Sequence, residues 1–162
     1  MPRRYSVPFD NVAITTTADF FEINPAADKP IRFISIDIGQ TNRAGDANED
    51  LLRWSIRRFT GATITSGSGG TAPTPVVLSP ADAAAGFTAE VTNTTIATTT
   101  GTNTLVYAST FNTRVGLLWI PTPDMQVQAV DNSANCILIV RLEEAPGAST
   151  TFSGTLIVEE EG

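Results

Sequence analysis

Cys136 is the only cysteine of the chain and sits in an apolar run, Cys136-Ile-Leu-Ile-Val140. A thiol becomes a nucleophile when a neighbouring base draws off its proton, and the chain has no histidine to act as that base. Cys136 is therefore expected as a small buried hydrophobe. Without a second cysteine, no internal disulfide is possible. The one lysine, Lys29, stands between Asp28 and Pro30 in an expected loop and offers no base for a hydrolytic triad. Zinc sites draw on cysteine and histidine, so none is expected. Gly67-Ser-Gly-Gly70 lacks the following Lys-Ser and the amphipathic helix of a phosphate-cradling loop.

Carboxylates are the remaining chemistry. The 17 Asp and Glu residues could supply a glycosidase pair. Most of them fall in expected loops or at the Glu159–Glu161 tip, which reads as solvated. Asp46-Ala-Asn48-Glu-Asp50 places oxygen ligands at alternate positions, as a calcium loop begins. Leu51 where such a loop needs glycine, and Arg57 where it needs a glutamate, exclude an EF-hand. A looser cation site at Asp46, Asn48 and Asp50 stays open beside the plainer reading of a polar turn. The expectation is a protein that is not an enzyme, with no catalytic residue, no cofactor and no metal.

The arginines point to contact instead. Arg53, Arg57 and Arg58 cluster on one expected strand, and Arg3, Arg4 and Tyr5 lie in the opening segment. A guanidinium fork matches a carboxylate, so such patches suit acidic groups on a neighbouring subunit. An ordinary solvated face is the alternative. Net charge −7 disfavours nucleic-acid phosphates as the partner. Residues 1–10 are expected to form an extended arm, because Pro2 and Pro8 keep the segment out of a helix. On that reading, deleting Met1 to Ser6 weakens attachment and leaves the fold intact.

The elements that would position these residues are strands. Mean hydropathy is +0.04, and 41% of residues are hydrophobic, so neither disorder nor a membrane span is expected. Met-Pro-Arg-Arg is followed by no apolar stretch, so no secretory signal is expected and synthesis is placed in a cytoplasm. Ile31–Ile38 alternates, with Ile34, Ile36 and Ile38 expected inward and Phe33, Ser35 and Asp37 outward. Leu51–Phe59 is expected as a strand with Leu52, Trp54 and Ile56 inward and Arg53, Ser55 and Arg57 outward. Cys136–Leu142 reads as a central strand buried on both sides. Ser66–Pro73 reads as a flexible surface loop. Ser79–Gly86 carries helix signals: a capping serine, Pro80 in the first turn, Asp82 near the positive end and Gly86 to stop. Asn93-Thr94-Thr95 matches a glycosylation acceptor by chance, without a signal peptide.

These elements imply an all-β, two-sheet antiparallel sandwich over residues 11–162, with at most one short helix near 80–85. A jelly roll is the expected variant, and an immunoglobulin-like sandwich is the second. Both tryptophans, Trp54 and Trp119, fall in apolar runs and are expected in the core.

Four segments carry a resemblance along nearly the whole chain. They are Tyr5-Ser-Val-Pro-Phe-Asp-Asn-Val12, Ser66-Gly-Ser-Gly-Gly-Thr-Ala-Pro-Thr-Pro75, Trp119-Ile-Pro-Thr-Pro-Asp124 and Ser153-Gly-Thr-Leu-Ile-Val-Glu-Glu160. Together they resemble small virion-associated proteins of tailed bacteriophages. The resemblance implies a capsid decoration, or cement, protein that forms trimers on the virion surface and has the major capsid protein as partner. It carries over no catalytic residue. The competing class is a recognition module: a tail-tip, fibre or carbohydrate-binding domain. Sugar sites want exposed aromatic rings, and here the tryptophans are expected inside.

Overall fold

The computed structural model describes residues 1–41, 50–130 and 135–162. β-branched and aromatic residues in short alternating runs give thirteen strands and one 3-10 turn, Pro123–Met125. The first sheet holds β1 (Arg3–Ile14), β3 (Ile31–Gln40), β6 (Val76–Val77), β10 (Leu117–Trp119), β11 (Gln128–Ala129) and β13 (Thr150–Glu160). Its order is β10-β3-β13-β1-β6, and β11 also pairs with β3. The second sheet holds β2 (Ala18–Asn24), β4 (Leu51–Thr60), β7 (Thr88–Asn93), β9 (Thr102–Asn112) and β12 (Ile137–Leu142), in the order β7-β2-β12-β4-β9. β5 (Ile64–Thr65) and β8 (Thr98–Thr99) form a small separate ladder. All the pairings are antiparallel, and the two large sheets pack face to face as a sandwich.

One hydrophobic cluster fills the space between the sheets, with Phe33, Ile36, Leu156 and Val158 from one and Phe20, Phe21, Ile56 and Val140 from the other. Phe20 meets Phe152 edge-on at 5.5 Å between ring centroids, which ties β2 to β13 across the gap. β12 holds the middle of the second sheet and is buried at every position, as the apolar run from Cys136 implies. Cys136 and both tryptophans are buried.

Period-2 reasoning fails where bulges intervene. Ile157 pairs with Ser35 but Val158 pairs with Phe33, so Ile34 is an extra residue on β3. Phe33 therefore turns into the core and Ile34 is only half-buried, contrary to the expected face assignment. A second bulge on β2 leaves Phe20 unpaired between Asp19 and Phe21, which lets both phenylalanines point inward.

Three further expectations are corrected. The opening residues are not an arm. Arg3–Phe9 is extended, but it pairs residue by residue with β13, from Arg3 opposite Glu160 to Phe9 opposite Gly154. The two prolines that keep the segment out of a helix are also compatible with a strand, and Tyr5, Val7 and Phe9 alternate into the core. Deleting Met1–Ser6 would strip a core strand. Ser79–Gly86 is not a helix. It makes one turn, closed by the Asp82 N–H on the Ser79 carbonyl at 2.9 Å, and then runs on irregularly. Its backbone is claimed by the sheet: the Tyr5 hydroxyl donates to the Ala83 carbonyl at 3.1 Å, and the Gly86 and Phe87 N–H groups donate to Glu160. The acidic tip is solvated only at Glu161, whose side chain is 44% exposed. Glu159 and Glu160 are buried and pair with Arg4 and Lys29 respectively, and Arg32 bonds Glu161.

Candidate functional site

The sequence-predicted contact residues fall in two places. Arg3, Arg4 and Tyr5 are on β1. Arg4 Nε donates to Glu159 at 2.9 Å across the β1–β13 ladder, and Tyr5 is wholly buried. Burial first, and then the nearby Glu160 charge, push the Tyr5 hydroxyl above its ordinary pKa. Tyr5 is a core residue, not a contact. Arg53, Arg57 and Arg58 are on β4, a second-sheet strand with its other neighbours Leu52, Trp54 and Ile56 in the core, as expected.

The face of the second sheet that looks away from the core divides into a covered half and an open half. The covered half lies over β2 and β12. Between β4 and β9, residues 61–101 give β6 to the first sheet and β7 to the edge of the second, and the stretches on either side, residues 61–73 and 94–101, form a strap across this face. Three buried side chains hold it. Asp19 takes Arg141 Nε at 2.6 Å and Nη2 at 3.1 Å, and it also accepts the Ala97 N–H at 2.7 Å. Arg141 donates to the Ala97 carbonyl at 2.9 Å and stacks over the Phe59 ring at 5.7 Å. Glu22 accepts the Gly67 N–H at 2.9 Å and the Asn93 amide at 3.4 Å. Beneath the strap a second apolar cluster forms from Phe59, Ala97, Ile137 and Ile139.

Glu22 has an unfavourable setting. Burial pushes its carboxyl above the ordinary 4.5, and Glu90, directly opposite on β7, pushes the same way. The Gly67 N–H opposes this but does not prevail. Asn93 Nδ2 bridges the two carboxylates, at 2.7 Å from Glu90. Asn93 is buried, so the glycosylation pattern that starts there is closed to a glycan in the folded chain.

The expected flexible surface loop, Ser66–Pro73, lies at the surface but is pinned by backbone bonds. Ser68 and Thr95 exchange backbone bonds at 2.9 Å, and Thr71 and Val91 do so at 2.8 and 3.1 Å. Gly70 lies so close that a Cβ there would overlap the Val91 carbonyl oxygen. Gly69 has φ +87°, a conformation that L side chains rarely adopt. Glycine supplies close approach here, not slack.

The open half lies over β4 and β9. Arg53 Nε meets Glu144 at 2.5 Å, Arg57 Nε meets Glu143 at 2.7 Å, and the Ser55 hydroxyl also bonds Glu143. Burial pushes Glu143 up, but the bonds from Arg57 and Ser55 outweigh it and hold the carboxyl below its ordinary value. Glu144 is held low by Arg53. A shallow groove of about 290 Å³ runs between these pairs and Leu105, Ala108 and Thr110 of β9. Arg53 and Arg57 flank it. Arg58 does not join them: it donates to the Gln128 carbonyl at 3.1 Å, towards β11.

Among the described residues, no group of three or more His, Cys, Asp or Glu side chains is placed to hold a metal ion. Asp46 and Asn48 lie outside the described residues. Asp50 accepts the Gly147 N–H at 2.8 Å. The glutamates at 143 and 144, the buried Asp19–Arg141 pair and the Glu22 anchor were not singled out by sequence reasoning. The only available signal was a charged residue inside an apolar run, as Arg141 is after Ile137–Val140. No protein-family model, no curated protein and no solved structure matches the chain.

Proposed function

We propose that the chain is a virion structural protein of a tailed bacteriophage, of the capsid-decoration kind. It is a non-enzymatic jelly roll that sits as a trimer on the outer surface of the major capsid protein and stabilises the shell. The winding supports the jelly-roll part of the reading. β1-β13-β3-β10 of the first sheet faces β2-β12-β4-β9 of the second, and the chain crosses between the sheets at every step of that series except β4 to β9, which are neighbours.

One observation carries the binding part, namely how the charged side chains are used. Asp19, Glu22, Arg141 and Glu160 are consumed in holding strands and strap together, each bonded to backbone or to an opposite charge. Arg53, by contrast, stands on the open face with a partner that is itself exposed. An exposed pair of that kind is worth little, so a capsid carboxylate can replace Glu144 at small cost. Leu105, 54% exposed and opposite Arg57 on the same groove, adds apolar contact. Arginine next to apolar surface is what interfaces favour. Many copies on a symmetric shell then multiply a weak single contact. A sugar-binding module is less well supported, because Trp54 and Trp119 are buried.

The test is a mass-spectrometric copy count on intact particles. A count on the scale of the major capsid protein supports decoration, and a few copies per particle overturns it. Adding wild-type and R53E/R57E protein to particles that lack it then tests the face. Reduced occupancy of the variant is expected, and equal occupancy rejects this surface.

A further inference from the structure

The two sheets end together along one side of the sandwich, at β9 in the second and β10 in the first. β9 is 11 residues long and reads Thr-Asn-Thr-Leu-Val-Tyr-Ala-Ser-Thr-Phe-Asn. One of its edges pairs with β4, and among the described residues no strand lies on the other. Long edge strands ordinarily carry lysine, proline or inward charges that repel a second strand. β9 has no charged residue and no proline, in a chain of net charge −7. Its one protection of another kind is a bulge at Val106, an extra residue opposite the Ile56–Arg57 step, and residues 107–112 beyond it are regular.

The first sheet stops short beside it. β10 is only three residues long, and Ala108, Ser109 and Thr110 are exposed in succession, so both faces of β9 are open there. A cleft of about 340 Å³ separates the two edges, with Ser109 and Thr110 on one side and Val115 and Leu118 on the other. Val115 is 86% exposed and Leu118 68%. Trp54, Tyr107 and Trp119 form its floor, with successive ring centroids 5.3 and 5.8 Å apart.

We infer that this side is a self-association surface. Two copies meet about a two-fold axis near Ser109, their β9 strands run antiparallel, and the second sheet continues from one copy into the other. A two-fold axis sets β9 against β9, so any charge on the strand would lie close to its own kind. Absence of charge along the whole strand is what self-pairing requires, and it gives a foreign peptide nothing to recognise by sign. Val115 and Leu118 of each copy then cover the open inner face of the other's β9. An axis at Ser109 pairs residues 106–112 of each β9, ~24 Å at ~3.4 Å per residue, and two sheets ~10 Å apart with their side chains make the strip ~20 Å wide. That is ~480 Å² per partner, the low end of the interface range, which fits an association that builds with concentration. The inference does not rest on the virion reading: it concerns the purified chain, whereas the trimer proposed there forms on the shell.

Sedimentation equilibrium of the purified chain tests it. Wild type is expected to reach twice its 17.2 kDa mass as concentration rises. S109E and S109K, at an exposed position, are each expected to stay at the single-chain mass with unchanged circular dichroism. An equimolar mixture of the two is expected to recover the doubled mass, because opposite charges then meet across the axis. T110E serves in the same way if S109E does not fold. A wild type that remains monomeric, a variant that keeps the wild-type mass, or a trimer indifferent to both substitutions overturns the inference. Particle occupancy is measured separately, so failure here and failure of the decoration reading are distinct results.

Discussion

The second sheet has two outer edges, and the fold treats them in opposite ways. At β7 the strap lies along the edge, with Ser68 and Thr71 bonding to the backbone of Thr95 and Val91. It spreads inward over β2 and β12, where it buries a charged cluster and four apolar side chains. At β9 nothing of the described chain lies against the free edge. The covered edge is rich in polar anchors that serve one internal partner. The bare edge is uncharged and flanked by apolar residues that have none. An edge that is to stay closed needs specific, buried bonds, whereas one that is to meet another chain needs only shape and the absence of repulsion.

The sharpest way to break the comparison is at Arg141. Replacing it with methionine leaves the Asp19 carboxylate buried without its cation. A cost of ~3–5 kcal/mol is expected, read as a lower denaturation midpoint in urea. R141M combined with D19L removes both charges and is expected to recover most of that loss. If the double variant is as unstable as the single, the pair is not what holds the strap.

A smaller effect is expected from G70A. The added Cβ meets the Val91 carbonyl oxygen first, and backbone cannot swing aside as a side chain can, so the strap has to lift from β7. Overpacking of this kind costs ~1–3 kcal/mol. Amide exchange should quicken along β7 and leave β9 unchanged. Equal quickening at both edges would show that the two are not independent.

Glu22 sharpens the comparison through pH. Its folded-state pKa is raised, so the folded chain keeps this proton to higher pH than the unfolded chain, where the ordinary value is 4.5. The stabilisation from this group is full below 4.5 and is lost as pH rises through the folded value. E22Q keeps an acceptor for the Gly67 N–H and cannot ionise. It is therefore expected to exceed wild type in stability at neutral pH, with the gain vanishing in acid, below the ordinary carboxyl value. A gain that is the same at both pH values would mean that the charge of Glu22 is not its source.

The legible part of this architecture is its strands, because alternation is written residue by residue. Leu52, Trp54 and Ile56 inward with Arg53, Ser55 and Arg57 outward need no long-range information. Ile34 escapes such reasoning because a bulge shifts the period by one residue, and what fixes the bulge is the partner strand. Met1–Asp10 escapes it because its strand partner lies some 150 residues later, as Arg4 opposite Glu159 shows. Ser66–Pro73 is ambiguous because glycine allows both slack and close contact, and only the neighbouring Val91 carbonyl decides between them. Of the contact candidates, Arg53 and Arg57 are legible as an outward pair. Glu143 and Glu144, which complete the site, lie on the turn after β12 and have no sequence signature that joins them to β4.

The smallest effect is expected on the open face, and its smallness is the point. R53A removes a guanidinium that is 63% exposed from a glutamate on the protein surface. Solvent screens such a pair, and two long side chains lose rotamer freedom by forming it. No measurable shift in the urea midpoint is expected. R57A should differ, because Glu143 is shielded more than Glu144 and takes the Ser55 hydroxyl as well, so its carboxyl loses the bond that keeps it charged. The Glu143 pKa should then rise, visible as titration of its carboxyl carbon resonance at higher pH than in R53A. If R53A instead destabilises the chain as much as R57A does, Arg53 is part of the structural framework. The open half of the sheet would then be tied up internally as fully as the covered half, and no side chain on it would be free to change partners.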